Sequence, residues 1–162
     1  MRLLSEIVHA LASVWGADRV AVRIGPYGTW NGMSDSNPDA LFAHVATELN
    51  HFGLAYLHLI EPRVSGSEDV KASGGLAAER LRPFFKGKMI AAGGFEPNTA
   101  EQVVSTGTLD AVAFGRHFLS NPDLPQRIAE HLELTPYDRS TFYTFDEVGY
   151  TDYPVYAQAV AV

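Results

Sequence analysis

The chain has 162 residues, 46% of them hydrophobic and 19% charged, the length and composition of one globular domain. Zero cysteines exclude a disulfide scaffold, a cysteine nucleophile, an iron–sulfur cluster and a Cys-based zinc site. A net charge of −7 argues against nucleic acid as a partner, and no apolar run approaches the roughly 20 residues that cross a bilayer.

Residues 2–15 place Leu3, Leu4, Ile7, Val8, Leu11, Ala12 and Trp15 on one helical face, and Gly16 stops that helix. A Glu and a His inside this stretch make it an amphipathic helix, not a signal peptide; without cysteines, a cytoplasmic location is expected. Residues 20–24 (VAVRI) read as a strand ended by Gly25 and Pro26. A polar loop follows over 27–38. Asn37 is placed to cap a helix running to about His51, with Pro38 in its first position. Residues 55–60 (AYLHLI) form the second strand, and residues 64–75 a second polar loop. A short helix over 76–86 is broken near Pro83. Residues 88–92 are the third strand, opening into Gly93 and Gly94. A helix capped by Asn98 or Thr99 runs to Gly107. Residues 109–114 are the fourth strand, opening into Gly115 and Arg116, and a last helix starts at Asn121. The tail, 134–162, is aromatic and loop-like.

Four apolar strands, each followed by a helix at a spacing of roughly 25–35 residues, indicate βαβ crossovers and a parallel sheet. An open doubly wound sheet and a (β/α)8 barrel both offer that pattern, and in both the loops at the carboxyl ends of strands carry function.

Gly93, Gly94 and Gly115 allow close backbone approach to an anion, and Arg116 adds a forked cation. The plainer reading is of ordinary βα turns. Arg23 lies inside an apolar strand, so it is either paired or ligand-facing. Glu61 and Arg63 read as a structural ion pair. Trp30, Tyr27, Phe142 and Tyr143 are loop aromatics able to line a pocket for a planar ligand or to pack a small satellite core. The six histidines show no ligand spacing, so no metal site is expected.

The segments RIGPYGTWNGMSDSNP, YLHLIEPR, AAGGF, AFGRHFLSNPDLPQR and YDRSTFYT with GYTDYP resemble the Old Yellow Enzyme family of flavin-dependent ene-reductases, in order and across nearly the whole chain. The resemblance implies an FMN-binding (β/α)8 barrel in which NAD(P)H reduces the flavin, which then reduces an activated alkene. Carried over by residue, Arg23 matches the arginine against the flavin ring. Gly93 and Gly94 match the phosphate loop after the seventh strand, and Gly115 and Arg116 the phosphate site after the eighth. Trp30 and Tyr143 match aromatic positions of the substrate and flavin pocket, with Phe95 and Phe142 beside them.

The match begins in the helix before strand five. The α/β fold expected is therefore a parallel (βα)4 half of the TIM barrel, strands five to eight, over residues 1–133, with residues 134–162 as an aromatic tail packing on it. The family's Tyr proton donor and substrate-binding His and Asn have no counterpart, so no catalytic residue is assignable. A half-barrel leaves two open sheet edges and an uncovered inner face. The expected partners are the missing N-terminal half or a second copy of the chain. A phosphate-binding remnant without turnover is the alternative.

Overall fold

In a computed structural model of the chain, residues 1–65, 68–70 and 75–156 are described. The chain divides into two compact units, Met1–Ala113 and Phe114–Val162. Among the described residues no helix is long and apolar enough to cross a membrane.

The first unit opens with α1 (Arg2–Trp15) and β1 (Ala21–Ile24), followed by α2 (Pro38–Leu49) and β2 (Tyr56–Ile60). Gly16 ends α1 at φ 87, a backbone angle that disfavours a side chain. Asn37 caps α2 by accepting from Ala40 N at 3.2 Å. Two short strands, β3 (Val64–Ser65) and β4 (Glu68–Asp69), pair antiparallel where only a polar loop was expected. Then come α3 (Ala77–Leu81), β5 (Met89–Ala92), α4 (Pro97–Ser105) and β6 (Ala111–Ala113). Helix α4 starts two residues earlier than expected, because Pro97 takes its first turn and the Thr99 hydroxyl accepts from Glu96 N at 3.0 Å.

The main sheet has the order β1-β2-β5-β6, and all three pairings are parallel. Each strand lies beside its predecessor, without the reversal that defines a doubly wound sheet. Right-handed crossovers then carry the helices to one face. The register shows the result. Val22, Leu57 and Met89 share a buried row, as do Leu59 and Ala91. The opposite face carries Tyr56, which is 37% exposed, and a row of Arg23, His58, Ile90 and Ala111. None of these four is fully buried. This face has the character of a barrel interior that nothing fills.

Helix α1 corrects one expectation. Its apolar face does not all turn inward: Val8 is buried, while Leu3 and Ile7 are 71% and 48% exposed.

The second unit contains α5 (Arg116–Ser120) and α6 (Leu124–Ala129); α6 is the helix expected from Asn121, starting three residues later, and α5 follows directly on Gly115. Arg127, only 1% exposed, organises it. Its Nε donates to Asp123 at 2.7 Å, Nη1 to Asn121 at 2.7 Å and Thr135 at 2.9 Å, and Nη2 to Pro154 O at 2.9 Å. One guanidinium thus ties both ends of the tail loop to α6. The tail from 134 to 156 has a single 3-10 turn, Arg139–Thr141, and residues 157–162 lie outside the described residues.

Leu59 lies in the middle of the sheet with no exposed surface, whereas Leu11 is 44% exposed on α1. Leu59→Ala is expected to lower the unfolding free energy by about 2–5 kcal/mol. Leu11→Gln is expected to change it by no more than about 0.5 kcal/mol. Urea unfolding of the two variants checks this; equal losses would contradict the one-sided packing.

Candidate functional site

The loops at the carboxyl ends of β1, β2 and β5 enclose the chemistry of the first unit. Arg23 and Trp30 line one cleft of about 290 Å³, together with Met33, Ile60 and Val64. Two residues singled out independently in the sequence therefore meet. Trp30 is 54% exposed. An arginine and an indole beside aliphatic walls suit a planar, electron-rich ligand.

His58 stands next to Arg23 in the sheet register. Its Nε2 is buried and has no hydrogen-bond partner among the described residues. Burial, and then the Arg23 charge, hold its imidazole below the usual histidine range. His58 is thus neutral at pH 7, which leaves Arg23 as the charge on this row.

The Gly93–Gly94 turn follows β5, with φ of 119° and 65°. A Cβ on Gly93 would approach Glu61 O and Val64 Cγ2 to 3.1 Å. Only glycine meets both the angle and the contact. Val64 also lines the Arg23 cleft, so the turn and the cleft share a wall.

Glu61 and Arg63 do not pair as the sequence suggested; each has its own anchor. Glu61 is fully buried and accepts from Ala77 N at 2.6 Å and Ala78 N at 3.1 Å, fixing the start of α3. Burial pushes its carboxyl up, and the two amides and Arg63 pull it back less strongly. Arg63 donates from Nη2 to Gly93 O at 2.9 Å, with its guanidinium 4.3 Å from the Phe95 ring centroid.

In the second unit, Gly115 opens α5 at φ −102, an angle open to any residue. A Cβ there would meet nothing within 4 Å, so this glycine leaves open space. The Arg116 guanidinium lies 6.0 Å from the Tyr137 ring centroid, and Phe142 packs on the same ring at 5.7 Å. Tyr143 is 83% exposed, at φ 62. Phe142 therefore belongs to an aromatic cluster, while Tyr143 projects outward.

Sequence reasoning missed the separate anchors of Glu61 and Arg63. It also missed the Arg127 hub, signalled by the Asp123–Arg127 spacing of one helical turn.

A family profile described as the NADH:flavin oxidoreductase / NADH oxidase family matches residues 1–135. The chain is 43% identical over 150 residues to 12-oxophytodienoate reductase 2 of Arabidopsis thaliana, covering 92% of this chain and 40% of that protein. It is 41% identical over 154 residues to a 12-oxophytodienoate reductase-like protein of Solanum lycopersicum, covering 94% and 40%. Among solved structures, morphinone reductase superposes with a TM-score of 0.85 at 42% identity, over 98% of this chain and 42% of that one. The old yellow enzyme from Trypanosoma cruzi gives a TM-score of 0.86 at 35% identity, over 96% and 40%. The chain thus spans about 40% of the length of the curated relatives it matches. Its four parallel strands and their helices are part of the (β/α)8 barrel of those proteins.

A raised carboxyl pKa in the folded state means that the native protein takes up a proton before the unfolded chain does. Glu61 therefore adds stability as pH falls through its folded pKa, and that contribution is lost as pH rises through it. Glu61→Gln removes this dependence. The melting temperature of the native protein, relative to Glu61→Gln, is expected to climb as pH falls from about 7 to about 5. A gap that shrinks on acidification would show that the Ala77 and Ala78 amides outweigh burial.

Proposed function

The chain belongs to the NADH:flavin oxidoreductase / NADH oxidase family, and from that membership we propose that it is the phosphate-holding part of an FMN-dependent NAD(P)H oxidoreductase of the Old Yellow Enzyme type. The observation that carries this reading is the meeting of Arg23 and Trp30 in one cleft that shares the Val64 wall with the Gly93–Gly94 turn. A cation, an indole and a glycine turn whose outer side is exposed fit the ring and the phosphate of a flavin mononucleotide.

Arg23 would place its charge beside the flavin ring, where reduction adds negative charge. His58, whose imidazole is held below its usual range, adds no second cation beside Arg23. Gly93 and Gly94 would meet the phosphate in the first unit. Gly115 and Arg116 are the proposed phosphate contacts of the second unit, and Trp30 and Tyr143 the pocket aromatics. Bound FMN would supply hydride transfer from NAD(P)H to an activated alkene. Morphinone reductase, 42% identical, has been solved in complex with tetrahydroNAD, which supports a nicotinamide as the reductant.

A second reading is a flavin-binding piece without turnover of its own. It is favoured by the coverage of about 40% of the relatives and by the lack of any residue here that matches the family's proton donor. The exposed sheet face and the outer edges of β1 and β6 call for further βα units to close them. Two copies closing an eight-stranded barrel would bring two Arg23 side chains into one interior, so charge favours the family's other half as the partner. The lack of cysteine supports a cytoplasmic setting.

Two outcomes are expected. Arg116→Ala should weaken binding of oxidised FMN by about tenfold or more, and by more than Arg23→Ala, because Arg116 is assigned to the phosphate. Equal losses in a fluorescence titration would remove the phosphate assignment. The isolated chain should not reduce cyclohexenone with NADPH at ordinary enzyme rates, on the order of 1–1000 per second; such turnover would contradict the second reading.

A further inference from the structure

We propose that Arg63 is a positioning residue, which aims the Gly94 amide outward as the anion donor of the Gly93–Gly94 turn; this rests on the phosphate reading above. Arg63 Nη2 donates to Gly93 O at 2.9 Å, so that carbonyl points inward. The described residues contain no cis peptide bond. In a planar trans peptide the carbonyl of one residue and the N–H of the next point in opposite directions. Fixing Gly93 O toward Arg63 therefore fixes Gly94 N–H away from it. Gly94 is exposed, and nothing among the described residues accepts from its amide. Its inner side is closed: a Cβ there would lie 3.4 Å from Arg63 Cβ and 3.7 Å from Nε. The Gly94 N–H is thus a donor without an acceptor among the described residues, on the exposed residue of the turn.

Arg63 is itself held. Its guanidinium sits over the Phe95 ring at 4.3 Å, and Phe95 is the residue next to the turn. Its Nε is buried and has no hydrogen-bond partner among the described residues. Glu61, the nearest acid in sequence, is committed to the amides of α3. The guanidinium charge is therefore not neutralised by a contacting carboxylate among the described residues. It polarises the Gly93–Gly94 peptide and makes the outward N–H a better donor. An arginine that served packing alone would need neither the carbonyl contact nor an open amide opposite it.

The test compares FMN with riboflavin, which has the same ring and no phosphate. The full chain, Arg63→Met and Arg63→Lys are titrated with both. The native chain is expected to prefer FMN by at least about tenfold. Arg63→Met keeps the stem over Phe95 but loses the donor. It should lose about tenfold in FMN affinity while riboflavin affinity stays within about twofold, and Arg63→Lys should regain part of the preference. Equal losses for both ligands would make Arg63 merely structural and overturn the proposal. A native chain without FMN preference would instead overturn the phosphate reading itself. If Arg63→Met does not fold, amide NMR of the native chain with inorganic phosphate decides. A downfield shift of the Gly94 proton supports the aim assigned to it. A shift at other amides with Gly94 unmoved overturns the proposal while leaving phosphate binding intact.

Discussion

Two strand ends lean on each other, and the first unit is built outward from that contact. Glu61 N donates to Ala92 O at 2.8 Å, extending the β2–β5 ladder by one step beyond the strands. From there the chain diverges. The buried Glu61 carboxylate fixes the start of α3, and Arg63 takes the Gly93 carbonyl. Burying a carboxylate is costly, and two backbone donors offset the cost by replacing lost water. A shorter residue at 61 would leave Ala77 and Ala78 without acceptors, and glutamine would offer one acceptor oxygen in place of two. A residue larger than glycine at 93 would collide with Glu61 O. The arrangement joins a helix, a glycine turn and the wall of a cleft to one short loop.

The same sheet is finished on one face only. Its helix-covered side is a close-packed apolar layer, and its other side carries Arg23, His58 and Tyr56 among small and branched residues. A free-standing sheet would place polar residues along an exposed face. Here one cation, Arg23, stands on a largely apolar face. That pattern suits a face meant for an interior in which an electron-rich ligand meets the arginine. The residues that suit a cofactor are those that the neighbouring strands of a whole barrel would enclose.

The strands and long helices were legible because their signals are local. Apolar runs between glycine and proline, and an Asn-Pro start, predict β1, β2, β5 and α2 to within two residues. Periodicity also marked α1, but it could not say that Leu3 and Ile7 would face outward, because burial depends on a neighbour that periodicity does not name. The barrel and doubly wound alternatives stayed open in the sequence, since both repeat βα units, and strand order separated them. At the site, Arg23 and Trp30 were found by residue type alone. The bonds of Glu61, Arg63 and Arg127 reach across 16 to 30 residues of chain to backbone atoms, which carry no sequence signature. The ribbon of β3 and β4 was missed because its strands are two residues long and polar.

On the proposed reading, one face and one turn of this chain are shaped for a flavin mononucleotide. A crystal structure of the chain grown with FMN tests that most directly. The ring is expected against Arg23 and the phosphate on the Gly94 amide. Flavin seated only in the adjoining apolar cleft beside Tyr27 and Phe42, away from Arg23, or a phosphate that leaves the Gly93–Gly94 turn untouched, would contradict it.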